Sequence, residues 1–256
     1  ALDLMSRFGD QAGPLAGGQS LVPLMNFRLV RPAHVIDLNR IDGLSHLKTE
    51  NGALRIGATA RQRQLEQSPE VAEGWPLLRE AAGFIGHIQI RNRGTVGGSL
   101  AHAFPSAELP VAMVTLEASL LLRSKSNERK VRAEEFFLGY MATALQATEL
   151  LIEISVPPLP IHTGWAYQEV TRRHGDFALA GAAVVISLDT SGHICHARLT
   201  LTGTVPWRAH EVETLLSGEA PGPALFKEAA PRATENVGEQ SDIHASAEYR
   251  RAACEA

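Results

Sequence analysis

The stretch Arg93-Gly94-Thr95-Val96-Gly97-Gly98-Ser99-Leu100 packs three glycines and two hydroxyl side chains into eight residues, and Ala16-Gly17-Gly18-Gln19-Ser20 repeats its diglycine near the start of the chain. Glycine has no Cβ, so the backbone there can approach a ligand closely. Successive N–H groups in such turns form concave nests suited to phosphate oxygens. Taken singly, each cluster reads better as a tight turn where only glycine fits. Taken together, each followed by a hydroxyl (Ser20 and Ser99, with Thr95 ahead of the second), they suit a pyrophosphate clasped from both sides.

Familiar nucleotide motifs do not account for them. No Gly-x-Gly-x-x-Gly opens a helix, which argues against a Rossmann site. No Gly-Lys-Ser/Thr ends a phosphate loop, so ATP hydrolysis lacks its lysine. Gly97-Gly98-Ser99-Leu100-Ala101, with His102 close by, approximates the Gly-x-Ser-x-Gly nucleophile elbow. That elbow needs an apolar strand before it and a helix after it, whereas Ile90-Arg91-Asn92-Arg93-Gly94 precedes and Pro105 limits any following helix. Ser20 fits worse, because Val22 stands where the second glycine belongs. A serine hydrolase is a poor second reading. His193-Ile194-Cys195-His196 holds three potential metal ligands, but on a strand His193 and Cys195 face one side and His196 the other. No further pair at ligand spacing accompanies them, so no metal site is expected.

Working outward, residues 33–38 and 53–58 alternate like short strands, and 62–67 and 76–85 read as helices. Residues 109–117 read as a helix, 119–124 and 130–131 as a hairpin, and 150–156 as a strand that stops at Pro157-Pro158. Pro157-Pro158-Leu159-Pro160 is the strongest linker signal, since proline lacks the donor a sheet ladder requires. Beyond it, 164–171, 180–189 and 193–202 read as strands, then 207–216 and 223–235 as helices. That order places a separate α+β domain after a boundary near residue 160. Residues 1–8 and 246–256 have helical patterns that run to the ends of the sequence, so both ends look cut.

The 256 residues are 45% hydrophobic and 20% charged, with a formal net charge of -4. An acidic balance argues against a nucleic-acid or anionic-membrane surface. The two cysteines, Cys195 and Cys254, form neither a disulfide framework nor the about four ligands of an iron–sulfur cluster. A reducing, cytoplasmic setting is expected. The longest uncharged apolar run, 177–188, falls short of the roughly 20 residues of a membrane helix, and no leader marks the chain for export.

At this point the residues resemble a family. The segments Ala16-Gly17-Gly18-Gln19-Ser20-Leu21-Val22-Pro23-Leu24-Met25-Asn26 and Ile90-Arg91-Asn92-Arg93-Gly94-Thr95-Val96-Gly97-Gly98-Ser99-Leu100-Ala101-His102 look like the two FAD-binding loops of molybdenum hydroxylase flavoprotein (medium) subunits, of the carbon monoxide dehydrogenase and xanthine dehydrogenase type. Ile36-Asp37-Leu38, Leu54-Arg55-Ile56-Gly57-Ala58, Glu134-Glu135-Phe136-Phe137-Leu138-Gly139 and Arg172-Arg173-His174-Gly175-Asp176-Phe177-Ala178 sit where that family has similar strings.

The resemblance implies an α+β fold: a two-subdomain FAD-binding domain (PCMH/vanillyl-alcohol-oxidase-like) over residues 1–158, then a smaller α+β domain over 161–256. It implies FAD contacts from Ala16, Gly17, Gly18, Gln19, Ser20 and Leu21 in the first loop, and from Thr95, Gly97, Gly98, Ser99 and His102 in the second. Glu108 stands at an acidic position expected to reach a ribose hydroxyl. Asp176 and Phe177 belong to a loop whose apolar residue lies over the flavin ring, where aromatic stacking would exclude water. Leu151 and Ile152 are expected near the ring. Gln168 replaces a lysine found in some relatives. No side chain is expected to act as acid, base or nucleophile.

The implied role is electron transfer. Substrate hydroxylation would occur at a molybdenum cofactor on a large subunit, and electrons would pass through iron–sulfur clusters on a small subunit. This chain's FAD would then hand them to an external acceptor, a task that suits flavin because it handles both single electrons and pairs. The implied assembly is a dimer of heterotrimers, without nucleic acid or a membrane segment. The alternative is a stand-alone flavin oxidase or reductase of the same fold acting directly on a small substrate.

Overall fold

Alternating apolar residues build the central sheet. Leu54 and Ile56, Leu120 and Leu122, and Ile154 and Val156 sit two apart on their strands, so each pair faces one side, and all are sealed from solvent. The computed structural model, which describes residues 1–235, 237 and 241–256, orders the strands Leu47–Glu50, Ala53–Gly57, Leu150–Val156, Ser119–Arg123 and Glu128–Arg132, antiparallel throughout.

Helix Pro76–Phe84 opens on a proline, whose missing N–H costs nothing at that position, and buries Leu77, Leu78, Ala81 and Ala82. Helix Glu108–Thr115 is buried along its whole length, as a helix apolar all round must be. It packs against Pro76–Phe84 on one side and against strands Ala180–Leu188 and Ile194–Leu201 on the other.

A small lobe precedes this sheet. Strand Ala12–Leu15 pairs in parallel with His34–Asp37, and a parallel pair demands a crossover connection. Residues 16–33 supply it, carrying the first glycine cluster and helix Leu21–Asn26. Met5 of helix Leu2–Phe8 joins Ile36, Leu38 and Leu150 in a core of its own.

After the prolines, Thr163–Val170, Ala180–Leu188, Ile194–Leu201 and Trp207–Arg208 form an antiparallel sheet. Helices His210–Leu216, Pro223–Thr234 and Ala247–Glu255 follow. The mixed helix-and-strand class is the expected one. Residues 207–216, however, are not a single helix: Trp207 and Arg208 first pair with Leu201 and Thr200. Arg208 is drawn into a buried cluster with Glu213 at 2.9 Å and Glu117 and Glu134 at 3.3 Å. Those partners come from both parts of the chain, and Tyr167, Ala183 and Val185 extend the first part's core. The two parts are therefore packed as neighbours with a shared interior, although the proline run divides them in sequence.

Candidate functional site

The first glycine cluster leaves strand Ala12–Leu15 and turns through Gly18, whose φ of 73° lies in the left-handed region that glycine alone enters without strain. Among the described residues, the main-chain N–H groups of Gly17, Gly18, Gln19 and Ser20 donate to no acceptor in the chain. The Ser20 hydroxyl does not cap the helix it precedes. Four adjacent donors and a hydroxyl therefore remain for a ligand.

The second cluster departs from expectation. It is not a turn: Gly97 and Gly98 lie in the first turn of helix Val96–His102, whose N-cap is Thr95. Its donors are spent within the protein. Val96 N–H bonds Ala60 O at 2.9 Å, Gly97 N–H bonds Ala58 O at 2.9 Å, Gly98 N–H bonds Thr95 Oγ1 at 3.1 Å, and Ser99 N–H bonds Thr95 O at 3.1 Å. The glycines have a packing cause instead. A Cβ on Gly97 would stand 2.6 Å from Ala58 O, and one on Gly98 would stand 2.5 Å from Thr95 Oγ1. Pro105 does not prevent this helix. The hydrolase elbow still fails, because helix Ile88–Arg93 precedes where a strand is required. No hydrogen bond joins Ser20 or Ser99 to a histidine among the described residues.

The two clusters meet at one cleft of about 790 Å³, within the size range of cofactor sites. Its wall includes Ala16, Gly17, Gly18, Gln19, Ser20 and Leu21 from the first loop, and Thr95, Gly97, Gly98, Ser99 and His102 from the second. Glu108, Leu151, Asp176 and Phe177 complete the expected set. Ile152 is not in the wall. It follows Leu151 on a strand, so its side chain takes the other face and packs beside Met5, Ile36 and Leu38. Gln168 is exposed on its strand, while its neighbours Tyr167 and Glu169 turn inward.

Several wall residues carried no sequence signal. Phe104 lies 4.5 Å, centroid to centroid, from Phe177, and 6.3 Å from the nearly parallel His102 ring. Phe177 itself is 66% exposed, so it opens onto the cleft rather than starting the buried strand, which begins at Ala180. Gln62 is buried in the wall, and its Oε1 has no partner. Nothing in its sequence neighbourhood marks it; only the convergence of Gly94 and helix Gln62–Gln67 does.

The electrostatics around Glu108 in the cleft wall are unusual. Burial pushes the Glu108 carboxyl up to about 8, with the nearby Glu169 charge adding to the effect. Burial likewise raises Glu169 to about 7, against the Tyr167 hydroxyl that donates to it at 3.3 Å. Neither carboxyl has an ion-pair partner among the described residues. Burial also holds the His102 imidazole below its ordinary range. Asp176 is met by Arg173 at 3.3 Å and Arg172 at 3.8 Å. Among the described residues no three His, Cys, Asp or Glu side chains are grouped to hold a metal ion.

The free donor arc, the orphaned Gln62 amide oxygen and the aromatic rings fit a ligand that is anionic at one end and planar elsewhere. FAD has that character. Residues 1–159 match the FAD binding domain in molybdopterin dehydrogenase, and residues 165–256 match the CO dehydrogenase flavoprotein C-terminal domain. The chain is 40% identical over 252 residues to the 6-hydroxypseudooxynicotine dehydrogenase complex subunit alpha of Paenarthrobacter nicotinovorans, covering 98% of this chain and 85% of that protein. It is 37% identical over 254 residues to the carbon monoxide dehydrogenase medium chain of Hydrogenophaga pseudoflava, covering 98% and 88%. A solved carbon monoxide dehydrogenase from that organism superposes with a TM-score of 0.96 at 38% identity, over 99% of this chain and 89% of the other. These relatives are oxidoreductase subunits of multi-subunit complexes. The chain therefore belongs to the molybdenum hydroxylase family, as an FAD-binding medium subunit.

Proposed function

We propose that this chain receives electrons from iron–sulfur clusters on a small partner subunit and passes them, through FAD, to an external acceptor, while a large molybdopterin subunit performs the hydroxylation. A dimer of such heterotrimers in the cytoplasm is part of the same reading; the free thiols Cys195 and Cys254 support the reducing compartment. FAD, when bound, supplies both one-electron and two-electron chemistry. The division into a flavin domain at 1–158 and a C-terminal domain at 161–256 also belongs to this reading, supported by the exposed prolines between the two sheets.

The chain's own residues bind, orient and shield. The N–H groups of Gly17 to Ser20 take phosphate oxygens, aided by the Ser20 and Ser99 hydroxyls. Glu108, held neutral by burial, donates a hydrogen bond to a ribose or ribityl hydroxyl without repelling the diphosphate. Phe177, braced by Phe104, lies against the flavin ring and excludes water. Asp176 fixes that loop through Arg172 and Arg173. The observation that carries this reading is the uninterrupted arc of unused donors from Gly17 to Ser20 on the wall of a cleft large enough for a dinucleotide.

The test is purification of the chain and of its complex. The isolated chain should take up FAD and turn over no hydroxylation substrate alone. Affinity capture should bring a molybdenum subunit and an iron–sulfur subunit with it. A colourless protein that ignores added FAD would end the proposal; direct reduction of the bound flavin by a small substrate in the isolated chain would favour the stand-alone oxidase.

A further inference from the structure

Two residues outside the flavin cleft's donor arc tie its halves together. Arg61 is anchored to the second loop by the backbone on both sides: Val96 N–H bonds Ala60 O at 2.9 Å, and Gln62 N–H bonds Gly94 O at 3.0 Å. Its guanidinium then spans a gap. One nitrogen donates to the carbonyl oxygen of Arg93, in the second loop. The other donates to Asn39 Oδ1 at 2.8 Å. Asn39 Nδ2 in turn donates to Ala16 O, in the first loop, at 2.8 Å, and to Asp37 Oδ1 at 2.7 Å. The Asn39 main-chain N–H adds a bond to the same Asp37 oxygen at 2.9 Å, which fixes the amide's orientation.

These bonds form a series connection from second loop to first: Arg93, Arg61, Asn39, Ala16. It runs beside the point where the loops touch, where a Cβ on Gly17 would stand 2.4 Å from Arg93 O. The donor arc begins at Gly17, one residue beyond the anchored Ala16 carbonyl. A diphosphate held between the two loops binds well only if their separation is already set, because ordering them on binding would cost free energy.

We infer that Arg61 and Asn39 are positioning residues for FAD: through the Arg61–Asn39 hydrogen bond they hold the first loop's donor arc at the right distance from the second loop. Neither residue touches the cofactor in this role. The inference rests on the flavin reading above. Arg61 is chemically suited, since a planar guanidinium presents several donors in a fixed fork. Lysine, a single flexible ammonium, cannot reproduce two donations in fixed directions.

The experiment titrates the full chain, stripped of flavin, with FAD and follows fluorescence quenching. It compares the unsubstituted protein with Arg61→Ala, Arg61→Lys, Asn39→Ala and the double alanine variant. Each single substitution should raise Kd roughly fivefold or more, the scale of one lost hydrogen bond. Because the links lie in series, the double variant should be no weaker than the weaker single variant. Thermal melts of the flavin-free variants should match the parent, and added guanidinium should restore part of the affinity of Arg61→Ala. Unchanged Kd in Arg61→Ala, additive losses in the double variant, or full rescue by Arg61→Lys would overturn the inference. Failure of the unsubstituted chain to bind FAD would instead remove the flavin reading itself.

Discussion

Gly17 lies so close to Arg93 that a Cβ on the glycine would stand 2.4 Å from the Arg93 carbonyl oxygen and 2.8 Å from Gly94 Cα. Both obstacles are backbone, so no side chain can swing aside. Gly17→Ala should push the two loops apart, costing about 1–3 kcal/mol of stability, the usual scale of overpacking. The flavin should be lost with it. Visible absorbance after gel filtration, read beside a thermal melt, checks both effects.

Phe177 offers the opposite case. It is 66% exposed, and its described ring contact is with Phe104. Phe177→Ala should therefore leave the flavin-free protein within about 0.5 kcal/mol of the parent. The fluorescence of bound flavin should rise, because the ring has lost its aromatic cover. Normal quenching in the variant would place the flavin ring elsewhere.

Glu108 makes stability depend on pH. Its ordinary value of 4.5 is raised to about 8 by burial. Below 4.5 the folded and unfolded chains are both protonated there and burial of the charge costs nothing. Between 4.5 and 8 the unfolded chain releases a proton that the folded chain keeps, so stability falls as pH rises. Above 8 the loss is complete. Glu169, raised to about 7, adds to the same slope. Melts across this window should show Glu108→Gln with a shallower decline, and Glu108→Gln with Glu169→Gln shallower still.

Arg208 joins the two parts of the chain. Its side chain is 6% exposed and meets Glu117, Glu134 and Glu213. Removing the cation leaves Glu117 to Arg198 and Glu134 to Arg132, but takes from Glu213, the most buried of the three, its nearest cation, leaving Arg198 at 3.7 Å. Arg208→Met should cost about 3–5 kcal/mol, as breaking a buried ion pair does. Limited proteolysis near Pro157 to Pro160 should accelerate in the variant, since the C-terminal part then holds Glu117 through Arg198 alone and Glu134 through His210 alone.

Much of this architecture was legible in local pattern. Period-two alternation marked Leu54–Ile56, Leu120–Leu122 and Ile154–Val156, and the proline run marked the break after Val156. The short helices Leu2–Phe8 and Gln62–Gln67 were legible too, but the one carrying the second glycine cluster was not. Val96–His102 holds two glycines and follows a polar stretch, so no periodicity distinguishes it from a turn. That misreading matters chemically: a turn would have left the Gly97 and Gly98 donors free, whereas the helix spends them on Ala58 and Thr95.

The amino-acid order alone determined that two diglycine segments exist, that hydroxyls follow both, and that the combination resembles FAD-binding loops. Glycine's missing Cβ is a local property and travels with the sequence. Tertiary structure decided which donors remain unspent, that Gln62 and Phe104 join the wall, that Ile152 leaves it, and that Arg61 reaches Asn39. Those outcomes depend on which carbonyls and rings the fold brings within a few ångströms, and residues far apart in sequence acquire such neighbours only when the strands and helices pack.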